Sequence, residues 1–270
     1  MSEKRGFTLI ELLVVIAVIA VLMSILMPAL NRAKGLAYAA ICMSNCRELG
    51  LGWQMYAEEN EGSFVKELEW ILPMYDYYQD PELLVCPSAT RLLERPETFS
   101  IWGNKDHAWY QYYSESELAN YGITGADARA LQGVKGSVAI NMWITWNTDG
   151  GRDDELLWKT PYVKKADRAP LMADGARSGA TPLPIDEPPE YDGQIYFSSP
   201  GDIHEIRNFC LNRHYGKVDV VFLDYHVESV DLKELWLLWW HRDWPVGRDV
   251  PLPTAWDDPM HWMHSMPDPL

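Results

Sequence analysis

The sequence predicts an α+β protein, a long amino-terminal α-helix packed on an antiparallel β-rich head. Three observations predict it. Apolar residues run from 12 to 27 broken only by Ser24. Beyond Pro28, Cys42, Cys46, Leu49, Trp53 and Tyr56 step by four, three, four and three, which puts them on one helical face. Further along, Val138, Ile140, Met142, Ile144 and Trp146 recur at every second position, the period of a strand. The composition agrees with a folding chain: 270 residues, 47% hydrophobic and 23% charged, exclude a mainly disordered protein. Asp and Glu number 39 against 23 Lys and Arg, a formal net charge of −16. Such a chain repels phosphate backbones and carries no basic stripe, so nucleic acid is not expected as a partner.

The first element is the apolar run. With residues 7–10 it reaches the roughly 20 residues that a bilayer-spanning helix needs. A removable secretory signal has an apolar region of about 7–15 residues followed by small residues; here the run is longer and leads into Pro28, Ala29, Leu30, Asn31 and Arg32. Glu11 lies within this apolar segment. An unpaired acid at that depth costs on the order of 2–3 kcal/mol, so it demands a partner.

The second element is the amphipathic continuation. Pro28 is expected to kink the helix rather than end it, because neighbouring helices satisfy the freed carbonyl in a membrane. Gly62, just past the last periodic residue, is the expected stop. One helix over 7–60 is roughly 80 Å long, with Gly50 and Gly52 marking close packing against a head.

The head follows. Strands are expected over 138–146, 171–173, 194–198, 218–223 and 226–230, with an exposed Pro- and acid-rich loop over 181–192. Asp231 and Glu234 form a capping box for a late helix. On it Leu232, Leu235, Trp236, Trp239 and Trp240 make an apolar stripe that belongs to the core. After Trp244 the chain is Pro-rich and expected to be an extended strap, with Trp256 and Trp262 available for exposed contacts such as carbohydrate stacking.

The residues Gly6-Phe7-Thr8-Leu9-Ile10-Glu11-Leu12 resemble the processing signal of type IV pilins and type II secretion pseudopilins. The resemblance implies a pilin-like fold, cleavage after Gly6 by a prepilin peptidase and methylation of the new terminus at Phe7. It implies that Glu11 meets the terminal amine of a neighbouring subunit, a buried pair being tolerable where a lone charge is not. Lys4 and Arg5 then keep that end cytoplasmic. The chain divides into a cleaved leader (1–6), a transmembrane or filament-core helix (7–30), an amphipathic stalk (31–62), a head (63–244) and a strap (245–270). The head in turn resembles large pilin-like proteins that carry a His, nine residues, then Asp-Gly. His214 and Asp224 match; Tyr225 stands where that family has Gly, which leaves the turn type open though not the strand pairing. Cys42-Met-Ser-Asn, residues 55–62, Cys86-Pro-Ser88 and the segment from Arg168 to Asp174 match more loosely.

Under this topology the stalk and head lie outside the cytoplasm, where disulfides persist. Cys42–Cys86 is the expected bridge, with Cys46 and Cys210 a second candidate pair; small buried hydrophobes are the alternative for all four. Zinc at Cys42 and Cys46 lacks a second pair of ligands. His204, His214 and His226 carry no ligand spacing, and the default is packed histidines. Asp149, Asp153 and Asp154 are a candidate calcium loop, since such loops occur in major pseudopilins, but they fail the EF-hand pattern and a solvated turn is the default. No cofactor is required, and no GxSxG elbow, phosphate loop or GxGxxG is present, so an enzyme is not expected. The resemblance implies a structural subunit of a pseudopilus or related fibre at the inner membrane, built by an assembly platform and a separate ATPase. A minor or tip subunit that binds glycans or cargo is the alternative.

Overall fold

A computed structural model describes residues 9–65, 69–92, 100–145, 153–194 and 204–269. The first element, α1 (Leu9–Glu59), runs 51 residues and continues through Pro28 as one helix. It ends as the glycine predicts: Gly62 takes φ 76° and its N–H donates 2.8 Å to the carbonyl of Ala57. The amphipathic face is the buried one, with Cys42, Cys46, Leu49, Trp53 and Ala57 all 3% exposed or less.

The head is β-rich with mixed sheets. A short helix α2 (Tyr75–Tyr78) follows the stalk. Strands β1 (Arg91–Leu92), β2 (His107–Tyr112) and β3 (Gly133–Gly136) form a three-stranded sheet, with helices α3 (Glu115–Asn120) and α4 (Gly125–Leu131) between β2 and β3. Ser114 and Glu117 cap α3 reciprocally. A five-stranded sheet follows from β4 (Val138–Asn141), β5 (Pro170–Asp174), β6 (Gly179–Ala180), β7 (Lys217–Phe222) and β8 (Val227–Asp231), in the order β6-β4-β5-β7-β8. The pairs β4–β5, β5–β7 and β7–β8 are antiparallel, and the short pairings β4–β6 and β1–β2 are parallel.

The stalk half of α1 packs on β7 and β8. Gly50 makes this close: a Cβ there would stand 3.1 Å from the side chain of Val221 on β7. Both faces of the central strands are covered, since every residue of β4 and β5 is buried. The expected alternation over 138–146 is therefore not a one-faced strand. It stops at Asn141, whose carboxamide oxygen caps the N–H of Trp143 at 3.1 Å and starts a 3-10 turn at Met142–Ile144. Trp146 and 195–198 lie outside the described residues.

Three other expectations are corrected. The late helix is a six-residue 3-10 helix, Leu232–Leu237, opened by the predicted Asp231–Glu234 capping box. It does not continue as an α-helix because its carbonyls are taken by indoles: Trp240 Nε1–H donates to Leu235 and Trp244 Nε1–H to Trp236, while the N–H of Trp239 turns to Arg168. Leu232, Leu235, Trp236 and Trp240 are buried and Trp239 is half-buried. The strap is folded onto the head rather than extended. Trp256 is buried edge-on against Trp236 with ring centroids 5.1 Å apart, and the Trp262 indole donates 2.8 Å to the carbonyl of Pro189. The tail tryptophans thus give no exposed aromatic pair for a sugar face. The loop over 181–192 is half-buried instead of exposed, because the Asp186 carboxylate accepts 2.9 Å bonds from the N–H groups of Leu183 and Ile206 and folds the loop inward.

Candidate functional site

Two places concentrate unusual chemistry, the bare end of α1 and the point where its stalk half enters the head. Residues 9–34 of α1 are all exposed, although nearly all of residues 12–27 are apolar. Among the described residues this is one helix long and apolar enough to cross a membrane. Glu11 sits in its first turn, exposed among Leu9, Ile10, Leu12 and Leu13. Gly6 and Phe7 lie outside the described residues. A continuous apolar surface of this length has to be covered by lipid or by other helices, since water solvates it poorly.

At the stalk–head junction four side chains converge. Cys42 comes from the buried face of α1. Cys86 comes from the turn after the 3-10 helix Pro81–Leu84, where its N–H is held by the Ser137 hydroxyl. Asp174 ends β5, and His214 precedes β7, next to the left-handed residues Tyr215 (φ 56°) and Gly216 (φ 85°). One donor atom from each lies within 4.8 Å of all the others, and all four residues are buried. His214 Nε2 stands 3.4 Å from Cys86 Sγ and 3.4 Å from an Asp174 carboxylate oxygen. The four cysteines are free thiols. Cys42 and Cys86, the expected disulfide partners, are brought together; Cys46 lies one turn away in the core, and Cys210 packs its sulfur 3.8 Å from that of Met263.

Electrostatics organise the shell around this cluster. The Arg213 guanidinium is fully buried and donates to the carbonyls of Ser137 and Asn104 at 2.6 and 2.7 Å. It stands 3.8 Å from Asp174 Oδ1, an oxygen with no hydrogen-bond partner among the described residues. Burial works against a charged His214, but contact with Asp174 and Cys86 outweighs it and pushes its pKa up to about 10. Contact with Cys42 and His214 pulls the Cys86 thiol down to about 5 against the opposing effect of burial. Contact with Cys86, reinforced by burial, pushes the Cys42 thiol well up. Burial and the neighbouring Asp174 raise Asp219, which is also fully buried, to about 6.

Other sequence candidates do not join the cluster. His204 faces Asp186 at 3.8 Å and His226 faces Asp224 at 2.5 Å, so the three histidines do not converge. His214 and Asp224 stand at opposite ends of β7, the first in the buried cluster and the second in the hairpin turn. There the N–H of Tyr225 donates to Phe222 and Tyr225 takes φ 68°, a turn closed by one left-handed residue rather than the two of a type I′ turn. Asp153 and Asp154 cap and open a short 3-10 helix, and Asp154 pairs with Lys159 at 3.2 Å; Asp149 lies outside the described residues. Asp174, Arg213 and Asp219 were not singled out as site residues by the sequence, because nothing in their spacing ties them to Cys42 or Cys86.

Residues 1–27 match the family model described as the prokaryotic N-terminal methylation motif. No curated protein and no solved structure matches the chain.

Proposed function

We propose that this chain, whose amino terminus carries the prepilin-type methylation motif, is a structural subunit of a type II secretion pseudopilus or a related type IV-like fibre. The motif supports a prepilin-like subunit, processed by a prepilin peptidase and assembled with other pilin-like subunits. The observation that carries the reading is the division of α1 into a bare half and a buried half. From residue 9 to 34 every side chain is exposed, and from Cys42 onward one face is sealed into the head. Before assembly, lipid covers the bare half; in the fibre, neighbouring copies of the same half replace the lipid.

In this reading the peptidase removes residues 1–6 and leaves methylated Phe7 as the terminus. Glu11 then lies close to the terminal amine of the adjacent subunit. That pairing satisfies an acid in hydrocarbon and favours one register of assembly. The amino terminus faces the cytoplasm, the head lies beyond the inner membrane, and a platform with its own ATPase supplies the work. Mass spectrometry of the mature chain tests this directly: a methylated Phe7 terminus is expected, and a native chain that still begins at Met1 overturns it.

A further inference from the structure

We propose that Cys42, Cys86, Asp174 and His214 form a structural zinc site that fastens the stalk helix to the head. Around a tetrahedral zinc, with Zn–S about 2.3 Å and Zn–N or Zn–O about 2.0 Å, neighbouring donor atoms lie about 3.3–3.8 Å apart. Two of the three edges at His214 Nε2, to Cys86 Sγ and to Asp174, are both 3.4 Å. All four donors fall within 4.8 Å of one another, so a small inward movement closes the remaining edges. Two sulfurs, an imidazole nitrogen and one carboxylate oxygen suit zinc and disfavour calcium or magnesium, which take oxygen sets.

Burial argues in the same direction. Asp174 and Asp219 are both fully buried, and Asp174 Oδ1 has no hydrogen-bond partner among the described residues. A buried carboxylate needs compensating positive charge; Arg213 stands 3.8 Å from Oδ1, too far to donate a good hydrogen bond to it, and His214 stands 3.4 Å from the other oxygen, Oδ2. A divalent cation at the centre supplies that charge, and its binding expels the protons that the thiols and the imidazole hold between them. With four protein ligands and no exposed side the site is closed, which is the structural rather than the catalytic type. The ligands come from α1, the turn after Pro81–Leu84, the end of β5 and the approach to β7. Zinc there ties the helix to three separate parts of the head.

The test uses the full chain purified in detergent under reducing conditions without chelator. About one equivalent of zinc per chain is expected, retained in Cys46→Ala, whose thiol lies one helical turn from the cluster. Cobalt(II) exchanged into the site is expected to give thiolate-to-cobalt charge transfer with tetrahedral d–d bands, and His214→Ala to lose them. Stripping the metal is expected to lower the thermal midpoint by at least about 5 °C, recovered on adding zinc. Cobalt bound without thiolate bands, or no stoichiometric zinc after loading, overturns the proposal. So does a Cys42–Cys86 disulfide recovered in peptides from the native chain.

Discussion

The side-chain amide of Asn141 donates 2.7 Å to the main-chain carbonyl of Trp240, ninety-nine residues further along the chain. The same nitrogen donates 2.8 Å to Pro170, and the amide oxygen accepts from Trp143. Asn141 is fully buried, so this one side chain ends β4, fixes the start of β5 and anchors the Trp-rich segment. Asn141→Leu removes three hydrogen bonds and takes the Asn141 partner from the Pro170 carbonyl and the Trp143 N–H inside the core, while the Trp240 carbonyl keeps the Trp158 indole N–H at 2.9 Å. Each such orphan costs about 1–3 kcal/mol. The expected loss is about 3–5 kcal/mol, read as a fall in the urea midpoint of the full chain in detergent; a variant within about 0.5 kcal/mol of the parent would refute this role.

Why parts of this architecture were legible in the sequence, and others not, follows from the range of the interactions that decide them. The rod and its buried face are written locally, in an apolar run and in the stepping of Cys42, Cys46, Leu49 and Trp53, and α1 follows them. The hairpin of β7 and β8 is local in the same sense. The end of β4 is not, because it depends on carbonyls at Pro170 and Trp240. The Trp-rich stripe predicted the right buried residues except Trp239, and the wrong helix, since helical periodicity carries no trace of an indole that takes a carbonyl. The junction cluster was half legible. Cys42 and Cys86 suggested each other through topology, whereas Asp174 and His214 arrive there through strand order.

Burial pushes the Asp186 carboxyl up to about 7, against the two backbone N–H bonds it accepts. Arg207 favours its charged form, while Glu205 opposes it. The native state therefore holds this proton more tightly than the unfolded chain does, so stability falls as pH rises from about 4 to about 7. That rise corresponds to about 4 kcal/mol as an upper figure. Thermal midpoints of parent and Asp186→Asn, followed across that window, are expected to diverge in slope, with the parent the steeper. Equal slopes would show that Asp186 is ionised throughout.

Gly50 decides how closely the stalk lies on the sheet. A Cβ there stands 3.1 Å from Val221, and the carbonyl of Tyr225 is 3.6 Å away. Alanine gains about 1 kcal/mol of helix propensity and is opposed by that contact, so Gly50→Ala is close to neutral. Gly50→Leu has no such escape, because its added carbons enter the fully buried face of β7. An overpacking cost of about 1–3 kcal/mol is expected, with the stalk half of α1 losing hydrogen-exchange protection before the sheet does.

If the proposed function holds, Glu11 separates anchoring from assembly. Its carboxylate is not needed to hold the chain in a membrane; on insertion scales an acid there opposes it. Glu11→Ala is therefore expected to remain membrane-bound and to be processed at Gly6 normally. In the proposed fibre it loses the partner of a neighbour's terminal amine, and removing one member of a buried pair costs about 3–5 kcal/mol. Incorporation into the sheared fibre fraction is expected to drop at least tenfold, since about 1.4 kcal/mol is already a factor of ten. Glu11→Asp, which keeps the charge one methylene shorter, is expected to restore part of it. Fibres formed by Glu11→Ala at the parent level would mean that apolar packing of residues 9–34 drives assembly without this pair.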